Sequence, residues 1–188
     1  MAGNRLRAPS VTLIPVTAAE RERLWAVQET LGVPASAMLA LAGWQSACFV
    51  RRWLSRDTTD VPLLLLAGPG RTGAVGLMAG RHWHSWGAEI QVLLSVPPEH
   101  LHAEARQALQ PLLAVGVPVT PLESGWELPA ADLLIDALLG SGERSGPRGD
   151  SAQLIRLANS HPAEIISLDL PSGLHANRAV LPIQAAAT

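Results

Sequence analysis

From residue 61 onward, short apolar segments alternate with amphipathic segments of helical period, and this alternation limits the possible folds more than any other feature. The apolar segments are residues 63–67, 89–94, 117–120, 133–135 and 165–168. The amphipathic segments between them are residues 72–86, 98–116 and 150–159. Apolar strands that alternate with helices are typical of a parallel sheet covered on both faces. We therefore predict a three-layer α/β/α fold of the Rossmann-like kind, with a mostly parallel sheet.

Two further helices are predicted before the first strand. The first begins after Thr17, which has capping-box spacing from Glu20, and it ends at Gly32. The second is the more apolar segment 34–54, PASAMLALAGWQSACFVRRWL. We expect both helices to pack across the sheet.

The chain is predicted to form one domain, residues 1–188, because this length supports one substantial core. Residues 1–15 are expected to form a loose arm. The tail from His175 is expected to begin a further strand that the chain does not complete.

Charge and composition argue against several classes of function. The formal net charge is −2 and no basic stripe is present, so nucleic acid is not an expected partner. No segment approaches the roughly 20 apolar residues that span a bilayer, so a membrane is not expected either. Cys48 is the one cysteine and cannot form an internal disulfide, which favours a reducing, cytoplasmic location.

Three of the predicted strands end in residues that suit a ligand site. The first is followed by GPGRTG, the fourth by Asp136 and the fifth by Asp169. Ligands of open α/β sheets bind at the carboxyl ends of the strands, so we expect both carboxylates to face one cleft beside the glycine loop. Either aspartate alone could instead cap the turn that follows it.

The glycine loop contains a literal G-x-G-x-x-G at Gly68, Gly70 and Gly73. The dinucleotide fingerprint also needs an acidic residue at the end of the next strand, where it binds ribose hydroxyls. Glu89 begins that strand instead, and Ser95 follows its end. No Gly-Lys-Ser/Thr follows the glycines, so the loop is not a Walker motif. The loop therefore serves another ligand geometry, or it is only a tight turn.

Three stretches resemble the YjeF N-terminal domain, the NAD(P)H-hydrate epimerase family. They are LLLLAGPGRTGAVGLMAGRHW, ADLLIDALLGSG and IISLDLPSGLHA, in the order and spacing of that family. The N-terminal stretch TAAERERLWAVQETLGVPASAMLALAG also resembles the leading helices of the family, so the resemblance covers the chain from about residue 16. The resemblance implies a Rossmann-like fold, a homodimer, and an isomerase that interconverts the R and S forms of hydrated NADH and NADPH. It is strongest to bacterial members that carry a C-terminal dehydratase domain, which is absent from this chain.

The resemblance also assigns site residues. Asp136 matches the essential catalytic aspartate, which approaches a potassium ion. Thr72 and Ser172 match the other potassium ligands, and Asp169 matches a carboxylate that binds the substrate. Further substrate-binding positions are implied in two loops: Gly70, Arg71, Thr72 and Gly73 in the first, and Gly140, Ser141, Gly142, Glu143, Arg144, Ser145 and Gly146 in the second.

The first of these loops departs from the family pattern. The family reads G-N-N-G-G-D-G where residues 70–76 of this chain read GRTGAVG. Thr72 still offers an oxygen, whereas Val75 cannot replace a carboxylate. Two hypotheses stay open: an active epimerase, or a pseudoenzyme of the same fold that binds nucleotides or dimerises without turnover. We also hypothesise that the Arg71 guanidinium takes the place of the potassium ion.

Overall fold

The computed structural model describes residues 17–54, 58–123, 127–142, 146–175, 178–179 and 182–188. The helices in this part of the chain are α1 (Ala18–Thr30), α2 (Ala35–Leu54), α3 (Arg71–Ser85), α4 (Ala103–Ala114) and α5 (Gly149–Ser160). The strands are β1 (Pro62–Ala67), β2 (Glu89–Leu94), β3 (Val119–Pro121), β4 (Leu133–Ala137), β5 (Glu164–Ser167), β6 (Leu174–His175) and β7 (Arg178–Ala179).

Five strands form one sheet in the order β3-β2-β1-β4-β5, and every pair is parallel. Leu65 of β1 lies at the centre, opposite Val92 of β2 and Ile135 of β4. The chain runs from β1 to one edge and then returns to build the other side from β4. The strand order therefore reverses at the carboxyl ends of the neighbouring strands β1 and β4. This position is the topological switch point, where sheets of this kind bind ligands. The predicted Rossmann-like class is confirmed.

The side chains of the central strands divide between two cores. Leu63 and Leu65 of β1 point into a core shared with α2, α3 and α4. Leu64 and Leu66 point into the opposite core, which α5 covers. This alternation follows from the period of two along a strand. Because all four leucines are at most 1% exposed, the sheet is buried on both faces.

The N-terminal helices extend the first of these cores. Thr17 and Glu20 form the predicted capping box at the start of α1. Helix α2 packs on α3, where Trp83 is fully buried and its indole N–H donates to the carbonyl of Ala47 at 3.3 Å. Trp25 of α1 packs against the same core.

Several predicted boundaries differ from the observed ones. The predicted helix 98–116 is a short 3-10 turn, Pro98–His100, followed by α4, because Leu101 and His102 have extended backbone conformations. Strand β3 begins two residues later than predicted, at Val119. Strand β4 continues past the predicted end at residue 135, so Asp136 lies inside the strand and does not begin the loop.

The last described segment lies along the outer strand β5. Ile166 and Ala187 form an isolated parallel bridge, and the N–H of Ser167 donates to the carbonyl of Ala187 at 2.9 Å. The N–H of Ala186 donates to the carbonyl of Ile165 at 2.7 Å. The tail therefore contacts the free edge of the sheet.

Within the described ranges, no single helix is both long and apolar enough to cross a bilayer. Helices α1 and α2 meet the length and composition criteria only as a pair, and the pair is bent by 116° at the break between them.

Candidate functional site

A pocket of about 580 Å³ lies at the switch point of the sheet. Its walls come from the loop after β1, the loop after β4, the end of β5, and one side of α1 and α2. Apolar side chains such as Leu39 and Leu168 line much of it, and polar groups converge from the loops. This volume and this composition are typical of small-molecule sites.

Asp169 is the carboxylate that lines the pocket from the end of β5. Its φ of +73° is unusual for a residue other than glycine. Its Oδ2 accepts two hydrogen bonds from Ser141, one from the backbone N–H and one from the hydroxyl, each at 2.7 Å. These bonds join the end of β5 to the loop after β4.

Asp136 lies beside this loop but is fully buried in β4, with 0% of its surface exposed. Its Oδ1 accepts from the Ser172 hydroxyl at 2.6 Å and from the backbone N–H of Leu138 at 3.1 Å. Its Oδ2 accepts from the Ser167 hydroxyl at 2.7 Å and from the backbone N–H of Ser172 at 2.9 Å. Burial raises the pKa of Asp136, and these hydrogen bonds oppose that rise.

The two carboxylates therefore do not face one cleft, as the strand-end pattern led us to expect. Asp169 lines the pocket, whereas Asp136 does not. The reason is that β4 continues through Asp136, which pairs with Ser167 of β5 and turns its carboxylate into a ring of hydrogen-bond donors. Among the described residues, hydrogen bonds link Asp136 to the pocket wall in two ways: directly to Leu138, and through Ser172, whose hydroxyl also accepts from the N–H of Leu139 at 2.8 Å.

The glycine loop is tightly packed at one end and open at the other. A Cβ on Gly68 would lie 1.8 Å from the carbonyl oxygen of Leu138, so this position excludes any side chain. A Cβ on Gly70 would have no neighbour closer than 3.9 Å, from the imidazole of His102. Gly70 lines the pocket and is the N-cap of α3, where it makes no side-chain capping hydrogen bond. In the G-x-G-x-x-G motif, Gly68 is therefore required for packing. Gly70 has room for a side chain and lies at the uncapped N-terminus of α3.

Arg71 does not replace a cation beside Asp136, contrary to our hypothesis. Its guanidinium lies 3.7 Å from Glu22 and 4.0 Å from Glu104, and it stacks 4.7 Å from the centre of the Trp25 ring. Carboxylates on α1 and α4 attract it toward the rim of the pocket. The hydrogen bonds on Asp136 come instead from serines and backbone.

Of the three residues predicted to bind potassium, two contact each other, and the third, Thr72, lies beside Gly140. Ser172 and Asp136 are in direct contact. Thr72 Oγ1 and Asp169 Oδ2 both lie next to Gly140. A Cβ on Gly140 would be 2.1 Å from the first oxygen and 2.5 Å from the second. Among the residues that the structure describes, no group of three or more His, Cys, Asp or Glu side chains is arranged to hold a metal ion.

The predicted substrate loop 140–146 is partly described. Gly140, Ser141 and Gly142 line the pocket. Glu143, Arg144 and Ser145 lie outside the described residues, and their assignment stays a prediction. Gly146 has a φ of +80°.

Sequence reasoning missed the contribution of α1 and of the loop before α4. Arg21, Glu22 and Trp25 line the pocket from α1, and His102 lines it from the other side. The four-residue spacing of Arg21 and Trp25 places them on one helix face, which was a usable signal. Nothing in the sequence shows which face of α1 meets the pocket, because that depends on distant residues.

The fold and the pocket together define a class: doubly wound α/β proteins with a ligand site at the switch point of a parallel sheet. Residues 35–188 match the protein family described as YjeF-related protein N-terminus. The chain belongs to this family.

Curated relatives carry more specific names. An NAD(P)H-hydrate epimerase of Dehalogenimonas lykanthroporepellens is 37% identical over 87% of this chain and 65% of its own length. The bifunctional NAD(P)H-hydrate repair enzyme Nnr of Escherichia coli is 38% identical over 63% of this chain and 23% of its own length. The chain thus spans less than two thirds of either relative.

A solved structure supports the fold. The crystal structure of yeast ynu0, YNL200c, aligns with a TM-score of 0.70 over 85% of this chain and 72% of its own, at 21% identity.

Proposed function

We propose that this protein is an NAD(P)H-hydrate epimerase, which interconverts the R and S forms of hydrated NADH and NADPH. The observation that carries the proposal is the pocket at the β1/β4 switch point, because the two family motifs around Ser141 and Asp169 meet there. Relatives with 37% and 30% identity are named NAD(P)H-hydrate epimerase. The pocket volume lies in the range of small-molecule sites.

The reaction breaks and re-forms one C–O bond. The hydrated nicotinamide ring carries a hydroxyl on a carbon bonded to nitrogen. Loss of that hydroxyl as water leaves a ring iminium, and return of water to the opposite face inverts the centre. A carboxylic acid can protonate the departing hydroxyl, and the resulting carboxylate can activate the returning water.

We divide these tasks between two carboxylates. Asp169 lines the pocket and is proposed to accept hydrogen bonds from substrate hydroxyls. Asp136 is proposed as the acid–base residue, because a buried carboxyl with a raised pKa can hold a proton nearer to neutral pH. The support for Asp136 is its raised pKa and its contact with Leu138 in the pocket wall.

The phosphate groups of the substrate are proposed to lie at the start of α3. Gly70 is the N-cap of this 15-residue helix and makes no side-chain capping hydrogen bond, and it lines the pocket together with Arg71 and Thr72. Helix N-termini attract anions through their first N–H groups and the helix dipole. The Ser141–Gly142 segment is on the facing wall.

A potassium ion is also proposed, with Asp136, Ser172 and Thr72 as ligands. The donor set fits: one carboxylate and two hydroxyls are hard oxygen ligands. Ser172 contacts Leu139, and Thr72 contacts the adjacent Gly140, so both hydroxyls lie against one short segment. The cation would keep the neighbouring carboxylate oriented.

A homodimer is proposed as the assembly, and the cytoplasm as the location. Exposed apolar side chains on α2 and at the end of α1, including Trp44 at 44% and Leu31 at 75%, offer an interface. Light scattering in solution distinguishes a dimer from a monomer.

The direct test uses one purified epimer of hydrated NADH and follows the other by chromatography. We expect the protein to accelerate the conversion above the spontaneous rate. Asp136→Ala should lower the rate about 10²–10⁴-fold, the usual contribution of general acid–base catalysis. Asp169→Asn, at an exposed position, should raise KM. Asp60→Asn is the matched control, since Asp60 does not line the pocket.

A second candidate is a nucleotide-binding domain without turnover. The observation that favours it is Val75, which lines the pocket where the family pattern has aspartate. Binding of hydrated NADH with no acceleration of its conversion would select this candidate.

A further inference from the structure

Helix α1 contributes to the pocket although it precedes residues 35–188, the part that matches the family. Arg21 lines the pocket from this helix, and its guanidinium donates a hydrogen bond to the hydroxyl of Ser141. The side chain of Arg21 is only 24% exposed. The same serine hydroxyl contacts Asp169. Arg21, Ser141 and Asp169 therefore form a chain of hydrogen bonds that joins α1 to the loop after β4 and to the end of β5.

The direction of this chain is fixed by chemistry. A guanidinium has donors only, so Ser141 Oγ must accept from Arg21. The hydroxyl proton of Ser141 is then directed to Asp169 Oδ2, at 2.7 Å. The backbone N–H of Ser141 donates to the same oxygen at 2.7 Å. Charge-assisted bonds of this kind are stronger and more directional than neutral ones.

The two oxygens of Asp169 differ in the hydrogen bonds that they accept from described residues. Among the hydrogen bonds between described residues, every one that Asp169 accepts ends on Oδ2. As a carboxylate oxygen, Oδ1 can accept further hydrogen bonds, and Asp169 lines the pocket. A carboxylate held by one oxygen presents the other in a defined direction, which suits a ligand hydroxyl.

We propose that Arg21 is a positioning residue, which acts through Ser141 to orient Asp169 toward the hydroxyl groups of a nucleotide ligand. The identity of that ligand rests on the proposed function. The alternative role for Arg21 is a direct contact with a ligand phosphate, since guanidinium also suits phosphate.

A double-mutant cycle separates these roles. The dissociation constant of NADH is measured by calorimetry for wild type, Arg21→Gln, Ser141→Ala and the double variant. Each single change should weaken binding roughly tenfold, the value of one charge-assisted hydrogen bond. The double variant should bind no more weakly than the weaker single variant, because both changes break the same chain. Arg21→Lys should recover part of the affinity, since lysine can donate to Ser141.

Arg23→Gln is the matched control, because Arg23 is exposed on the same helix and does not line the pocket. It should bind NADH as wild type does. Additive losses in the cycle would overturn the proposal in favour of a direct phosphate contact. An unchanged affinity in Arg21→Gln would overturn it outright.

NADH lacks the hydroxyl that is epimerised, so its binding is independent of turnover. Coupled losses without any epimerisation by wild type would uphold the role of Arg21 and contradict the proposed function. Epimerisation by wild type together with unaffected binding in Arg21→Gln would uphold the proposed function and contradict the role of Arg21. Failure of wild type to bind either NADH or hydrated NADH would contradict both.

Discussion

Each carboxylate oxygen of Asp136 accepts one backbone N–H and one serine hydroxyl. Both oxygens must therefore act as acceptors, because a backbone N–H cannot reverse its direction. This requirement explains why aspartate is needed inside a strand that is otherwise apolar. It also means that Asp136 orders the ends of β4 and β5 whatever its role in catalysis.

Asp136→Asn should therefore destabilise the protein. The new amide NH₂ group would face one of the two backbone N–H donors, from Leu138 or Ser172, and leave it unpaired. An unsatisfied buried donor costs about 1–3 kcal/mol. Urea denaturation at neutral pH measures this loss, and Asp60→Asn, at an exposed position, should stay close to wild type. Equal stabilities for the two variants would contradict the hydrogen-bonding scheme.

The raised pKa of Asp136 predicts how stability varies with pH. The unfolded chain releases this proton near pH 3.8, whereas the folded protein keeps it to a higher pH. The contribution of Asp136 to the free energy of unfolding is thus complete below pH 3.8 and declines as pH rises through the folded pKa. Asp136→Asn should lack this decline, which denaturation at a series of pH values measures. If the free energy of unfolding declined equally with pH in wild type and in Asp136→Asn, the decline would come from other titratable groups.

At the scale of elements, the turn between β1 and α3 is held against the loop after β4. The carbonyl of Leu138 occupies the space that a side chain on Gly68 would need. The N–H of Gly68 also donates to the carbonyl of Ala137 at 2.9 Å. This contact holds the two loops together beside the pocket, which both Leu138 and Gly70 line, and a side chain on Gly70 would meet no close neighbour.

The two glycines should respond differently to the same substitution. Gly68→Ser should cost about 3 kcal/mol, because overpacking against backbone cannot relax by rotation of a side chain. Gly70→Ser should leave stability unchanged or raise it by a few tenths of a kcal/mol, since serine can cap α3. Thermal or urea denaturation of both variants compares them directly. A reversed order would show that the second glycine is the structural one.

At the scale of the whole molecule, the sequence was sufficient to predict the three layers of the fold. It was also sufficient to predict that the site lies at the carboxyl ends of the strands. Continuous apolar strands and intervening helices depend on local patterns, which a sequence displays. The burial of Asp136 outside the pocket lining was not predictable, because it depends on hydrogen bonds from Ser167 and Ser172, which are distant in sequence. The direction of Arg71 was missed for the same reason, since Glu22 and Glu104 are distant in sequence.

The contribution of α1 is the clearest case of this limit. Its capping box predicted where the helix begins, but no local signal reported that Arg21 would reach Ser141. That contact joins residues 120 positions apart. The site is therefore complete only when the N-terminal helix, the glycine loop and the ends of β4 and β5 come together.

A crystal structure grown with NADH tests the central claim most directly. The ligand should occupy the pocket at the switch point, with an oxygen of Asp169 about 2.5–3.0 Å from a ligand hydroxyl and the phosphates near Gly70. Density for NADH elsewhere on the molecule, or an empty pocket at a concentration that saturates binding in solution, would contradict the assignment of this pocket as the substrate site.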